Sequence, residues 1–456
     1  MSLNVVILAA GEGKRMHSTR PKVLAPLAGA PLLAHVLAAA RTLEPGRIVL
    51  VAAPDGGSLR AAFPDRDLQW AEQKERLGTA DALAAALPLL PAAGSVLVLY
   101  GDVPLIRTQT LVPLAAAADE GALALLTVRF PDPQGYGRIV RNAAGAIERI
   151  VEERDASAAE RAITEVNTGV IVAPAQKLRE WLPRIGKDNV QGEYYLTDVV
   201  ALAIGDNIAV RAIEAADAGE TRGVNNRLEL AAAETELRRR RARELMAAGA
   251  VLADPARIDL RGRVVCGHDV FIDVNTVFEG SVELGDDVRI GAGVIIRDSV
   301  VGAGTEIRSY SIVEHARVGA NAIIGPYARL RPGSELADET HVGNFVEVKN
   351  TKLGRGSKAN HLAYLGDAEI GERVNVGAGV ITCNYDGARK HKTVIGDDAF
   401  IGSDCPLVAP VEIGAGATIG AGSTITEDVP ADTLTIARAP QTIVKGWKRP
   451  KKKDKE

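Results

Sequence analysis

Directly after a first aliphatic run, Val5-Val6-Ile7-Leu8, the chain reads Leu8-Ala9-Ala10-Gly11-Glu12-Gly13-Lys14-Arg15-Met16. Two glycines at a strand-to-helix turn let backbone N–H groups approach a bound phosphate or base. Met16 stands at the third glycine position of a dinucleotide fingerprint and the GK[ST] ending of a P-loop is missing, so neither of those readings fits. Arg15 and, after Pro21, Lys22 place fixed positive charge near the turn, as transfer at a triphosphate requires; two surface cations are the plain alternative. A later run, Leu97-Val98-Leu99-Tyr100-Gly101-Asp102, ends on a carboxylate beyond a strand's carboxyl end, where open α/β sheets collect ligands. An Asp there suits Mg²⁺ held with substrate phosphates, and Asn225 could supply a second oxygen; a helix N-cap is the competing use of such an Asp.

The elements that must position these groups fall into two kinds. The length of 456 residues exceeds what one core supports, so two domains are expected. From Leu3 to about Gly223, short runs such as Ile48-Val49-Leu50-Val51 and Val96-Leu97-Val98-Leu99 alternate with Ala- and Leu-rich stretches of helical length. That pattern predicts an α/β, Rossmann-like domain over 1–223, with a mostly parallel sheet covered by helices on both faces. Residues 224–250, through Leu228, Leu230, Leu237 and Leu245, read as a connecting helix. Its run Arg238 to Arg241 is a solvated face beside Glu229, Glu234, Glu236 and Glu244. From Val251 to the end, 251–456, aliphatic residues fall every sixth position: Val318, Ile324, Leu330, Leu336, Val342 and Val348, then Ile395, Ile401, Leu407, Ile413, Ile419 and Ile425. Six hits in one frame arise by chance about once in a thousand, and neither helix nor hairpin repeats in six. Glycines such as Gly319, Gly325, Gly402 and Gly420 follow many of them, and the whole reads as a hexapeptide-repeat parallel β-helix. The repeat breaks at Lys352–Leu365 and Cys383–Val394, which are expected to bulge out of phase and carry His361, Tyr364, Asn384, Tyr385 and Lys392. Lys448 to Glu456 reads as a solvated basic tail.

Composition bounds the partners. With 54 Lys+Arg against 58 Asp+Glu the formal net charge is −4, which suggests neither a dedicated nucleic-acid binder nor a membrane-surface binder. No apolar run reaches a spanning length and Leu3–Ala10 lacks signal-peptide flanks, so no membrane insertion is expected and the cytoplasm is the expected address. Hydrophobic content of 46% and charged content of 25% suit a folded globular chain. Cys266, Cys383 and Cys405 form no CxxC pair and are expected as free thiols.

Taken together, Leu8–Met16, Pro21-Lys22, Leu77-Gly78-Thr79, Tyr100-Gly101-Asp102, Gly135-Tyr136-Gly137-Arg138, Val166-Asn167-Thr168-Gly169, Gly192–Asp198 and Gly223–Arg227 resemble a sugar-1-phosphate nucleotidylyltransferase. With the hexapeptide half, nearly the whole chain resembles the bacterial bifunctional N-acetylglucosamine-1-phosphate uridylyltransferase/glucosamine-1-phosphate N-acetyltransferase family. That resemblance implies a left-handed β-helix, a homotrimer, Mg²⁺ as cofactor, and UTP and acetyl-CoA as co-substrates with the two sugar phosphates. It implies a uridine nucleotide held by Leu8, Gly11, Gly13, Gln73, Gly78, Thr79, Tyr100, Gly101 and Asp102, with Arg15 and Lys22 on its phosphates. Asp102 and Asn225 would hold the metal. Gly137, Glu152, Asn167, Tyr195, Thr197 and Asn225 would surround the amino sugar. The family usually has Gln before Leu-Gly-Thr, His two residues after the Thr, and Thr in the glycine turn, where this chain has Arg76, Asp81 and Lys14.

Acetyl transfer from a thioester to an amine needs a proton acceptor, and a histidine, which titrates at about pH 6.5, is suited to it. His361 is the natural base. The resemblance extends to Leu330–Gly333, Phe345–Lys349, Lys358–Leu362 and Cys383–Gly387. It implies Arg331 and Lys349 on the sugar phosphate, Tyr364 and Asn375 on the sugar, Asn384 and Tyr385 orienting the reacting groups, and Ala378, Ser403, Ala421 and Arg438 along acetyl-CoA. A covalent acyl-thiol role for Cys405 is disfavoured, since direct transfer needs no enzyme thiol. Two other readings remain open on sequence: a single-activity nucleotidylyltransferase with a regulatory or oligomerising β-helix, and a non-enzymatic interaction subunit built from the same modules.

Overall fold

This computed structural model describes residues 2–450, so the end of the basic tail, 451–456, lies outside the described residues. Two compact units divide the chain, one ending at Arg238 and one beginning at Arg239.

In the first unit the aliphatic runs become the strands β1 (Leu3–Leu8), β2 (Arg47–Ala52), β3 (Leu68–Glu72), β4 (Ser95–Tyr100), β5 (Leu123–Arg129), β6 (Arg138–Arg141), β7 (Ile147–Val151), β8 (Glu165–Pro174) and β9 (Val210–Glu214). Their order in the sheet is β9-β5-β8-β4-β1-β2-β3, with the hairpin β6–β7 attached to β8. β1 pairs in parallel with β2 and β4, whereas β8 runs antiparallel to both β4 and β5. Val5, Ile7, Leu97 and Leu99 face one apolar layer, and Val6, Val49, Val96 and Val98 face the other. Both faces are covered, which is why these strands read as continuous apolar runs. The carboxyl ends of β1 and β4 are adjacent, Leu8 opposite Tyr100, and this places the glycine turn beside Asp102.

The turn after β1 differs from the expectation in one respect. It leads only into a three-residue 3₁₀ turn, Lys14–Met16, and the first α-helix, α1 (Leu32–Arg41), begins well downstream. Gly13 is left-handed at φ 65°, and a Cβ there would lie 2.6 Å from the Lys22 Cβ. The loop therefore folds onto Lys22, and a ligand there meets backbone and side chains with no helix dipole behind them. Further on, α2 (Thr79–Ala86) opens on Gly78, and α3 (Arg227–Ala247) is a long helix.

In the second unit three ladders of inward side chains stack coil on coil. One runs Ile272, Ile290, Ile307, Ile324, Val342, Ala359, Val376, Ile401, Ile419, all in parallel register and almost fully buried. Its members lie 17 or 18 residues apart except for a step of 25 between Val376 and Ile401. The variation comes from a single corner, which spans five or six residues in most coils and swells between Thr382 and Ile395. The Cys383–Val394 excursion is thus present. Lys352–Leu365, in contrast, is a regular rung: Lys352–Leu353, Lys358–His361 and Tyr364–Gly366 are ordinary strands, and the break in period is one residue omitted at that same corner between Val348 and Leu353. His361 ends a strand and does not belong to a loop.

Candidate active sites

Lys22 is buried in the first unit, and its ammonium donates to Asp102 Oδ2 and, at 2.9 Å, to Asn225 Oδ1. Lys22 is therefore no surface cation, whereas Arg15 is exposed, and Asp102 caps no helix, since the next one begins at Thr108. Asn225 is itself held. Its N–H donates to Glu229 at 2.6 Å, while Asn226 caps α3 by accepting the Glu229 N–H at 2.9 Å. Glu229 is a positioning residue that sequence reading missed, although Asn-x-x-Glu at a helix start was a visible capping signal. Two neutral or anionic oxygens converging on one cation form the donor set that a hard divalent ion accepts, with phosphate oxygens and water completing its shell. No group of three or more His, Cys, Asp or Glu gathers as a metal nest among the described residues.

Two cavities share Tyr100 and Asp102 as a wall. The first is lined by Leu8, Gly11, Lys22, Gln73, Gly78, Thr79 and Tyr100 among others. The second holds Arg15, Asn225, Thr168, Arg222 and Glu229. Gly13 and Gly101 line neither; Gly13 sits against Lys22, and Gly101 packs against Val23, Ala9 and Leu33. Arg222, stacked 5.1 Å over Phe130, is a second cation of this cavity that sequence reading did not single out. Glu152, Tyr195 and Thr197 line a third hollow, where the Thr197 hydroxyl donates to Glu152 Oε1 at 3.2 Å and Gln191 Nε2 to the Tyr195 hydroxyl at 2.8 Å. Gly137 backs Glu152 closely and its carbonyl accepts the Asn167 N–H. Asn167 Oδ1 is buried without a hydrogen bond, an acceptor that a ligand can satisfy. Burial, reinforced by Glu152 and then Asp102, drives the Tyr100 phenol upward in pKa, so these groups share one neighbourhood. Burial likewise raises the Glu152 carboxyl despite the bond from Thr197.

On the solenoid, Asn344 and His361 stand side by side on successive coils, and Asn344 Oδ1 lies 2.7 Å from His361 Nδ1. With that oxygen as acceptor, Nδ1 carries the proton and Nε2 keeps the lone pair a base requires. In the same register, on the following coils, come Ala378, Ser403 and Ala421, linked by Asp404 N–H to Ala378 O and Gly422 N–H to Ser403 O. Arg438 reaches back to the Ala421 carbonyl. The column is small-sided above the imidazole, as a thioester path would need.

At the opposite end of the next face, Arg331 and Lys349 occupy adjacent coils, with Arg331 also bound to Glu347 at 2.8 Å. Tyr364 lies on that face between His361 and these cations, and three strand residues span on the order of 10 Å. The swollen corner folds back over it: Tyr385 and Lys390 pair as a short antiparallel bridge, and Asn384 Nδ2 donates to Asp367. Asp386 accepts the Arg389 and Ala388 N–H groups and His391, which hold its carboxyl far below the ordinary range. The result brings the Lys390 ammonium against Lys349, whose pKa it pushes down. Arg331, Lys349 and Lys390 thus stand together as a cluster of cations, and Lys390 is a member that sequence reading passed over in favour of its neighbour Lys392, which is paired to Glu369. Asn375 stands on the other ladder, between Lys358 and Phe400, away from Arg331 and Lys349. Cys405 is fully buried in the core with its thiol toward the Ser403 and Gly420 carbonyls, so it packs in the interior.

Residues 5–179 match the MobA-like NTP transferase domain, 260–354 the GMPPB C-terminal domain, and 392–427 the bacterial transferase hexapeptide repeats. Full-length relatives include the bifunctional protein GlmU of Aromatoleum aromaticum, 56% identical over 451 residues and 99% of each chain. Those of Burkholderia vietnamiensis, at 55% over 451 residues, and Bordetella parapertussis, at 56% over 456 residues, each align over 99% of this chain and 100% of their own. This chain belongs to the bifunctional GlmU family. As a GlmU-family protein it is an enzyme with a nucleotidyltransferase half and a hexapeptide acyltransferase half. Among the described residues no helix is long and apolar enough to cross a membrane.

Two outcomes follow from this geometry. Glu152 has its pKa raised in the fold, so its ionisation takes stability away as pH rises through the carboxylate range. Glu152→Gln keeps an acceptor for Thr197 without the desolvated charge. The variant is expected to melt no lower than the parent at pH 7 while its KM for N-acetylglucosamine 1-phosphate rises, read by calorimetry and pyrophosphate release. Lys390→Ala is expected to raise the KM for glucosamine 1-phosphate roughly tenfold in the acetyl-transfer assay, with Lys390→Arg restoring most of it.

Proposed function

We propose that the two constellations perform consecutive steps toward UDP-N-acetylglucosamine. In the second unit glucosamine 1-phosphate is acetylated. Arg331, Lys349 and Lys390 receive the phosphate, Tyr364 lies along the sugar, and His361 Nε2 takes the amine proton as the nitrogen attacks the thioester of acetyl-CoA. Asn384 and Tyr385 orient the reactants, and Ala378, Ser403, Ala421 and Arg438 guide the cofactor. In the first unit the anionic 1-phosphate of the product attacks the α-phosphorus of UTP in line and pyrophosphate leaves. Because the nucleophile already carries charge, the chain supplies positioning and neutralisation, with Lys22 and Arg15 facing the phosphates. Gln73, Gly78 and Thr79 hold the base side, and Glu152, Asn167, Tyr195 and Thr197 hold the amino sugar.

The observation that carries this reading is the convergence of Asp102 and Asn225 on the Lys22 ammonium at the wall between two cavities. These two oxygens would hold Mg²⁺, which when bound withdraws charge from the transferring phosphate. The functional division follows residues 1–223, 224–250 and 251–456. We further infer a cytoplasmic homotrimer. Supporting it, Tyr310, Tyr327, Phe345 and Leu362 form an exposed row up one corner of the solenoid, the rings stacked at 5.2 and 5.4 Å, directly beside His361. The separation of Asn375 from the phosphate cluster also leaves room for a neighbouring subunit to complete the site.

Purified chain given glucosamine 1-phosphate, acetyl-CoA, UTP and Mg²⁺ is expected to release both free CoA thiol and pyrophosphate; pyrophosphate alone would leave only a nucleotidylyltransferase. Asp102→Ala, or the milder Asp102→Asn, is expected to abolish pyrophosphate release and spare thiol release, and loss of both in a folded protein would contradict the division of labour. Dilution that dissociates the oligomer is expected to remove acetyl transfer before uridylyl transfer, checked by light scattering alongside both assays.

A further inference from the structure

We propose that Asp81 is a specificity-determining positioning residue of the nucleotide cavity, fixing the Gln73 amide so that only its carbonyl oxygen is left to pair with a base. The proposal rests on the uridylyl-transfer reading above.

Gln73 is buried, with 5% of its surface exposed, and lines the cavity. Its Nε2 donates to the Gly78 carbonyl at 3.0 Å and to Asp81 Oδ2 at 2.9 Å. A backbone carbonyl and a carboxylate are acceptors only, so turning the amide over would set Oε1 against two oxygens. Both amide hydrogens are thereby committed, and Oε1 is the group that remains. The two acceptors are themselves fixed. Asp81 occupies the first turn of α2, where the helix N-terminus favours a carboxylate. Gly78 has φ 123°, a Cβ there would lie 2.4 Å from the Tyr194 carbonyl oxygen, and the Ala80 N–H holds that oxygen at 3.0 Å. Arg76, which lines the same cavity, is engaged elsewhere, with Nε on the Ala10 carbonyl at 3.0 Å and its guanidinium on Glu12.

The pairing edge of uracil carries one donor, N3–H, between two carbonyl acceptors. A fixed carbonyl can meet it. Cytosine presents a lone pair at N3, which leaves the buried oxygen unpaired and opposed, and a site built around a committed polar group rejects such a partner strongly. Without Asp81 the amide is tethered by Gly78 alone and can rotate to offer its NH₂ to cytosine.

The test compares kcat/KM for UTP and CTP, by pyrophosphate release with N-acetylglucosamine 1-phosphate, in the full-length parent, Asp81→Ala and Asp81→Asn, with the calorimetric unfolding profile of each preparation, matched to the parent's, reporting that the first unit is folded. The parent is expected to favour UTP, Asp81→Ala to reduce the UTP:CTP ratio at least tenfold through the KM for UTP, and Asp81→Asn, whose Oδ1 still accepts from Gln73, to keep most of the ratio. An unchanged ratio in Asp81→Ala, or an equal loss in Asp81→Asn, overturns the proposal. A parent that uses both nucleotides equally overturns it while leaving nucleotidylyl transfer standing, whereas no pyrophosphate from either nucleotide would remove the uridylyl reading itself.

Discussion

A buried ammonium must be paired, and in the first unit that requirement ties three distant stretches of chain together. Lys22 follows the glycine turn, Asp102 lies just beyond β4, and Asn225 precedes α3; the bonds from Lys22 join residues 80 and 203 positions away. Leaving any one of the oxygens out would strand the charge in a poorly solvated place. The sheet order serves this constraint, because β1 and β4 are neighbours and end side by side. Gly13 serves it too, since any Cβ would strike Lys22. What results is a cation and two oxygens at the meeting of two cavities.

The solenoid obeys a different constraint. Its ladders must remain in register for the inward aliphatic side chains to cover one another, so every rung repeats the same outward positions. Columns arise as a consequence: Asn344 and His361 lead into Ala378, Ser403 and Ala421, and Arg331 lies next to Lys349. Chemistry is added by varying residues within a column and by lengthening one corner. The corner after Thr382 holds seven or eight residues more than a regular one, and its internal bonds around Asp386 turn that length into a defined arm that delivers Lys390. Cys405 points into the packed interior and takes part in the ladder packing.

The two constraints give the halves different tolerance to change. In the first unit, positions far apart in sequence depend on one another through a few polar bonds. In the second, each coil depends chiefly on its neighbours, so a local alteration leaves distant rungs in place. Combining both in one chain allows a charged phosphate-handling centre and a shallow, repetitive acyl-transfer surface to coexist without sharing a core.

By itself the sequence determined the two periodicities, the glycine turn, the carboxylate at a strand end and the family to which these motifs belong, because each is written in contiguous residues whose backbone consequences are local. Runs of apolar residues specify doubly covered strands, and a period of six specifies stacked rungs, wherever they fall in the chain. It misread Lys352–Leu365 as an excursion because one omitted residue shifts a linear frame as much as a real bulge does, whereas in space the coil simply takes a tighter corner. It took the glycine turn for a helix start because a short 3₁₀ turn begins with the same residues. Only the tertiary structure decided that Lys22 is buried between Asp102 and Asn225, that Lys390 and not Lys392 faces Lys349, and that Asp81 accepts a hydrogen bond from Gln73. Those facts depend on side chains meeting across large separations, and no spacing along the chain encodes which atoms will share a hydrogen bond once the strands and coils have closed on one another.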